Sequence, residues 1–305
     1  MARPNDLYAK GDADSMTPPP NPVVCITGSS SGFGLEATIA FARRGYTVVA
    51  TMRDVSRQTA LVARLTPLGL LSRVLIVPLD VTDAASIRAA VDTIDQRLGC
   101  IDVLVNNAGI AVGGFLEETS EVAWRRLLET NLLGAVTVTN TVLPMMRAQQ
   151  QGRIIFLSSL GGLVPTPFLG AYCAVKFALE GYAETLRLEL APFHVDVVLV
   201  EPGAFQTSIW QTPLTNERTI PDYDHVRDSF MTLYQETLSK HLKNPQVVAN
   251  RLVSIAMTRH PRLRYPIGFD AWQEIYLRKL LPWRLYEQLI RKILNLEPRG
   301  SGGNK

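Results

Sequence analysis

The feature that most constrains this chain is the order of its short and long patterns. From Val23 onward, short runs rich in Val, Ile and Leu alternate with longer stretches at helical spacing. The runs at 23–27, 47–51, 74–79, 103–105, 153–158 and 195–200 carry apolar residues on both faces, which suits strands covered by helices on each side. Parallel strands need crossover connections, and the intervening helical stretches supply them.

The alternation therefore predicts an α/β fold: a single Rossmann-like doubly wound parallel sheet with helices on both faces. Ile87, Val91, Ile94 and Leu98 mark one crossover helix, with Asp83 placed to cap it, and Gly45 closes another that ends at Arg44. Two long patterns, 120–149 and 168–190, have faces suited to a second subunit, which leaves a homodimer or homotetramer open. After Pro202 the alternation weakens. A loop with Phe205, Ile209, Trp210 and Pro213 leads to helices near 223–241 and 246–257, read as cover for a substrate. A last strand at 264–267 precedes a helical region broken at Pro282. The chain thus divides into a tail (1–21), a catalytic domain (22–268, with its substrate-loop region at 203–258) and a C-terminal helical extension (269–305) that completes the substrate cover.

Composition narrows the function. A formal charge of +3, with no basic cluster before the C-terminus, argues against nucleic-acid binding. Cys25, Cys100 and Cys173 are odd in number, far apart and set in apolar segments, which fits a reducing compartment and excludes a zinc site; no metal is expected. Residues 1–21 hold no apolar stretch suited to a signal peptide, and no run is long enough for a spanning helix, so the expected location is cytoplasmic.

The chemistry is carried by the loops after the strands. Thr27-Gly28-Ser29-Ser30-Ser31-Gly32-Phe33-Gly34 follows the first strand. Gly28, Gly32 and Gly34, with Ser30 and Phe33 between them, let a pyrophosphate approach backbone N–H groups at a helix start. The second strand ends at Thr51-Met52-Arg53, with a basic residue where an acidic one would hold a ribose hydroxyl. Arg53 suits a 2'-phosphate, so NADP(H) is favoured over NAD(H). Asp80, followed by Val81, either accepts from an adenine amino group or organises its own turn. Asn107, Ala108 and Gly109, within Asn106-Asn107-Ala108-Gly109, are small enough for a cofactor ribose to pass over the strand end.

Tyr172 and Lys176 share one face of a helix. A tyrosine is a poor base near neutrality unless a cation lowers its pKa, and a lysine one turn away supplies that charge. Ser159, after the fifth strand, is placed to donate to a substrate oxygen.

Taken together, residues 22–207 resemble the short-chain dehydrogenase/reductase family: the glycine loop, Asn106 to Gly109, Asn131, Ser159, Tyr172 with Lys176, and Pro202-Gly203 occur in the family's order. The resemblance implies an oxidoreductase interconverting a carbonyl and an alcohol. It puts proton transfer on Tyr172, ribose binding on Lys176, substrate orientation on Ser159 and a water-holding relay on Asn131, which equally suits a kink in its helix. Pro202, Gly203 and Thr207 match cofactor contacts, Thr207 also fitting a helix cap. Within the family, the Thr-Met-Arg stretch, residues 172–181 and residues 264–268 look most like the branch with retinol and 17β-hydroxysteroid dehydrogenases and bacterial relatives. The apolar loop 204–214 agrees with a lipophilic substrate. A non-catalytic NADP-sensing regulator is the rival reading, disfavoured by the intact Ser159, Tyr172 and Lys176.

The terminal segment carries Leu285, Leu289, Ile293 and Leu296 on one stripe, with Arg284, Arg291 and Lys292 off it and Arg278 and Lys279 nearby. Such a basic amphipathic helix either packs its stripe on protein or lies peripherally in a membrane interface.

Overall fold

The computed structural model describes residues 21–205, 219–241, 243–294 and 296. Seven strands form one sheet: β1 (Val23–Ile26), β2 (Thr47–Met52), β3 (Val74–Pro78), β4 (Val103–Asn106), β5 (Gly152–Leu157), β6 (Val195–Pro202) and β7 (Arg264–Ile267). Their order is β3-β2-β1-β4-β5-β6-β7, and every neighbouring pair is parallel. The six expected strands and the last short one are all present, with ends moved by at most two residues.

The helices are α1 (Gly32–Arg43), α2 (Thr59–Leu65), α3 (Ala84–Leu98), α4 (Glu121–Leu128), α5 (Gly134–Gln149), α6 (Gly170–Leu190), α7 (Asp224–His241), α8 (Gln246–Met257), α9 (Phe269–Leu280) and α10 (Trp283–Ile293). Each face of the sheet buries its own core. On one, Leu104, Ile154 and Phe156 meet Ile87, Val91 and Ile94 of α3, Val138 and Val142 of α5, and Leu179 and Ala183 of α6. On the other, Val24, Val105 and Ile155 meet Ala37 and Phe41 of α1 and Val248 and Leu252 of α8. This is the doubly wound arrangement that strands apolar on both faces demand. Asp83 caps α3 as its sequence position implies, accepting from Ala85 N at 2.8 Å.

The continuous helical pattern over 120–149 divides in the structure. Between α4 and α5 a π-helical segment, Glu129–Leu133, adds a residue to the turn. Asn131 sits at its centre with both ends of its amide engaged by Ile110: Oδ1 accepts from the Ile110 N–H and Nδ2 donates to the Ile110 carbonyl, each at 2.8 Å. The clamp ties the helix to the loop after β4, a tertiary contact that local periodicity does not register.

Candidate active site

The order of the strands reverses where β1 lies between β2 and β4, and the loops leaving these strands part to open a cleft of about 490 Å³. Its floor starts at the glycine loop. Gly28 holds φ 72, and a Cβ there would stand 3.0 Å from Ala108 Cα, so the position combines a left-handed backbone with close approach. The two loops are laced together at this point. Thr27 Oγ1 accepts from the N–H groups of Asn107 and Ala108 at 2.9 and 3.0 Å, while Asn107 Nδ2 donates to the carbonyls of Thr27 and Gly28 at 2.7 and 3.0 Å.

Of the residues singled out from sequence, Gly28, Ser30, Gly32, Phe33, Arg53, Asp80, Val81, Asn107, Ala108, Gly109, Ser159, Tyr172, Lys176, Pro202 and Gly203 all line this cleft. Three do not. Gly34 lies behind the wall, where a Cβ would stand 2.3 Å from the Gly28 carbonyl oxygen. Asn131 is buried and bound to Ile110 as described. Thr207 lies outside the described residues. Asp80 organises its own turn, its Oδ1 accepting from Thr82 N and Oγ1 at 2.9 and 2.8 Å, while still facing the cleft.

Arg57 and Asp54 also line the cleft and went unnoticed in the sequence. Arg57 lies four positions beyond Arg53, in a short 3₁₀ turn that starts at Val55. Asp54 caps that turn by accepting from Ser56 N at 2.9 Å, and the Ser56 side chain together with this N–H holds its carboxyl below the usual range. The signal was available: an Asp-x-Ser step after a strand announces a capped turn, and the turn brings a second arginine to the same cleft.

At the far end, Ser159, Tyr172 and Lys176 converge. The Ser159 hydroxyl accepts from Gly161 N at 3.1 Å and hydrogen-bonds the Tyr172 hydroxyl. Lys176 Nζ donates to the Leu157 carbonyl at 2.7 Å and lies 5.7 Å from the Tyr172 ring centre. Burial lowers the Lys176 ammonium to about 8, with Glu180 one turn further along α6 opposing the fall. The expectation that Lys176 brings the Tyr172 hydroxyl down is not met on balance. Burial pushes it up to about 12, against the pull of the Ser159 hydrogen bond, because the ring is embedded in an apolar cluster. Behind this group, Arg264 Nε donates to Glu180 at 2.9 Å and lies 4.0 Å from the fully buried Glu201, whose carboxyl burial pushes up to about 9, Glu180 adding to the rise.

The side of the site beyond Tyr172 is apolar. Ala111, Leu127, Phe168, Val175, Phe230 of α7 and Leu294 after α10 are buried together around the tyrosine, with Ile290 packed against them. Phe168 holds φ 69, unusual for a bulky side chain, and stacks on Phe230 at 4.6 Å between ring centres. The C-terminal extension therefore helps wall the tyrosine's apolar surroundings.

An ion pair moors α7 to this wall. Glu118, with a fully buried side chain, accepts from Arg227 Nη2 and Nη1 at 2.6 and 3.0 Å, and from Ile220 N at 2.8 Å. The guanidinium holds the Glu118 carboxyl down at about 2. An unfolded glutamate titrates near about 4.3. The pair's stabilisation is thus complete above that value and is lost as pH falls toward the folded one. Glu118→Gln should weaken the anchoring of α7 by about 3 kcal/mol at neutral pH, since Arg227 stays largely buried and keeps only the more exposed Asp224, at 3.6 Å, as counter-charge. Hydrogen exchange across 219–241 measures this. Acidification from about pH 5 to 3 should loosen the wild type more than the variant, and equal responses would count against the pair.

A parallel doubly wound sheet with a glycine-loop cleft ending in a Ser-Tyr-Lys group defines a class of dinucleotide-binding oxidoreductase folds. The particular family follows from comparison with known proteins: the family described as short chain dehydrogenase matches residues 22–218, and the chain belongs to that family of oxidoreductases. It is 38% identical over 279 residues to the uncharacterized oxidoreductase YusZ of Bacillus subtilis, covering 89% of this chain and 98% of that protein. A 3-ketodihydrosphingosine reductase of Bacteroides thetaiotaomicron is 36% identical, covering 81% and 87%, and human retinol dehydrogenase 8 is 35% identical, covering 79% of each chain. Among solved structures, a short-chain dehydrogenase from Streptomyces avermitilis superposes with a TM-score of 0.74 at 31% identity, covering 91% of this chain and 99% of that one. A family member from Burkholderia phymatum in complex with NAD gives 0.74 at 26% identity, covering 85% and 93%.

Proposed function

We propose that this protein is an NADP-dependent oxidoreductase interconverting a carbonyl and an alcohol on a lipophilic substrate, with Tyr172 as proton donor and acceptor. The observation that carries the reading is the meeting of Ser159, Tyr172 and Lys176 at one end of the glycine-loop cleft, beside an apolar wall. The residues fit a dinucleotide. Gly28, lacking a side chain, lets the glycine loop close on Ala108 with its backbone lining the cleft, Arg53 and Arg57 face the cleft where β2 ends, and the Asp54 carboxylate is turned to Ser56 N.

When bound, the nicotinamide supplies or accepts a hydride. In the direction of reduction, the Ser159 hydroxyl donates to the substrate carbonyl oxygen and fixes it beside Tyr172, whose hydroxyl delivers a proton to that oxygen as it becomes alkoxide. Lys176, held by the Leu157 carbonyl, orients the nicotinamide ribose and lends positive charge to the tyrosine as it gives up its proton. Asn131 acts through backbone: its grip on Ile110 fixes the loop between the cofactor floor and the substrate wall.

The apolar wall around Tyr172 supports a lipophilic substrate, as does the resemblance to proteins named for a ketodihydrosphingosine and for retinol. The three cysteines are free thiols, in keeping with a reducing cytoplasmic setting. Val122, Leu133, Phe177 and Leu188 lie exposed on α4, the π segment and α6, a surface suited to a second subunit.

The direct test follows nicotinamide absorbance while ketones and aldehydes of increasing chain length are offered with NADPH or NADH. Turnover that improves with apolar length and prefers NADPH is the expected result, whereas NADPH binding without turnover on any carbonyl would favour a sensing role. Arg53→Ala should weaken NADPH binding by about 1.5 to 3 kcal/mol, the worth of a charge-assisted contact to a 2'-phosphate, and barely alter NADH binding. Equal losses for both cofactors would remove Arg53 from phosphate recognition.

A further inference from the structure

On α10 the apolar residues occupy far more of the helix than packing uses. At 3.6 residues per turn, Leu285, Leu289 and Ile293 lie on one stripe and Tyr286, Ile290 and Leu294 on the next, together spanning roughly half the circumference. Only the second stripe is packed. Tyr286 and Leu294 are 4% and 6% exposed, Tyr286 lying against Val164 and Ile275 and Leu294 in the cluster around Tyr172, while Ile290 joins both groups. Leu285 and Ile293 are each 53% exposed. The stripe picked out from sequence, Leu285-Leu289-Ile293, is therefore the one that protein packing leaves largely uncovered; Leu296, beyond the end of the helix, turns in toward the cluster around Tyr172 instead.

The preceding helix repeats the pattern. Trp272, Tyr276 and Leu280 follow one another along one face of α9, all three exposed, Leu280 to 77%, and the bend to α10 adds exposed Trp283. Basic side chains edge these surfaces: Lys279, Arg284 and Lys292 are exposed, and residues 269–293 hold five basic against three acidic groups.

We propose that the outer face of α9 and α10 docks on an anionic lipid surface. The charge selects this occupant over a second copy of the chain, because a two-fold contact would set this basic patch against itself. Apolar burial and attraction to acidic headgroups add for a lipid surface, and Trp and Tyr suit the boundary between headgroups and acyl chains. The inner face of the same α10 packs on the apolar cluster around Tyr172, so docking would bring that side of the site to the phase in which a lipophilic substrate dissolves. This last step rests on the substrate reading above; the docking itself does not.

The test is sedimentation of the full chain with vesicles. It should pellet with phosphatidylglycerol-containing vesicles at low salt, remain in the supernatant with phosphatidylcholine alone, and be released by salt. The combined variant Leu280→Glu, Leu285→Glu and Ile293→Glu should reduce vesicle binding about tenfold or more, with unchanged melting temperature and NADPH affinity. Lys279→Glu with Arg284→Glu and Lys292→Glu should abolish the dependence on acidic lipid, and decides the matter if the first variant melts lower. Failure of the wild type to pellet, or undiminished binding by a folded variant, overturns the proposal. So does a dimer of the wild type in ultracentrifugation that the first variant dissociates without any vesicle binding to lose. NADPH titration is independent of all these outcomes, so a failed docking test leaves the catalytic reading standing and the reverse also holds.

Discussion

Tyr172→Phe is expected to lower turnover about 10³-fold or more in both directions while changing NADPH affinity by less than about threefold. The asymmetry follows from where the ring sits. It is packed among Phe168, Val175, Phe230 and Leu294, a setting that phenylalanine fills as well as tyrosine. Only the hydroxyl is removed, along with its hydrogen bond to Ser159. That hydroxyl is the proton source in the proposed reaction, so its loss raises the barrier by about 4 kcal/mol, three factors of ten at about 1.4 kcal/mol each. Melting temperature should hold within a few degrees. A variant that turned over at near wild-type rate would eliminate Tyr172 as the proton carrier, and one that lost NADPH affinity in parallel would recast the residue as a binding group.

Gly34→Ala carries the second large effect, and its sign is diagnostic. At an ordinary helix position alanine is favoured over glycine by about 1 kcal/mol, so a Gly34 that served only as part of α1 would gain stability on substitution. A Cβ at this position would stand 2.3 Å from the Gly28 carbonyl oxygen and 2.5 Å from Asn107 Nδ2, and neither can yield without moving the laced loops of β1 and β4. The expected outcome is destabilisation of about 3 kcal/mol, at the upper end for an overpacked site, with at least about a tenfold loss of NADPH affinity because the cradle at Gly28 shifts. Urea unfolding and cofactor titration measure the two effects separately. A more stable Gly34→Ala protein with normal affinity would show that the helix and loop have slack that their spacing denies.

These two positions also mark how far the sequence could be read. Gly34 was legible as one of three glycines in a loop, a pattern that assigns all three to the cofactor. The structure divides the work: Gly28 faces the cleft, while Gly34 lets α1 approach the strand ends. Asn131 was legible as a residue out of place in a helix, but its partner Ile110, 21 positions away, was not. Arg57 was missed because the Asp54-Val55-Ser56 step, which announces the capped turn that carries it, was not read. The terminal stripe was found correctly as apolar and basic, yet the packed side of α10 proved to be the neighbouring stripe.

What the sequence by itself determined is the part that depends on local periodicity and local turn chemistry: seven strands, the helices between them, the doubly wound class, the loops that bear Gly28 and Ser159, and the helix face that carries Tyr172 and Lys176. Apolar alternation and capping act over a few residues, so they are written along the chain. Tertiary structure alone decided the quantities that depend on distant neighbours. Among these are the π segment that sets Asn131 against Ile110, the ionisation of Tyr172, Glu118 and Glu201, and the side of the last helix that meets protein. Desolvation and packing are set by everything within a few ångströms of a group, and which residues those are is known only once the chain has closed on itself.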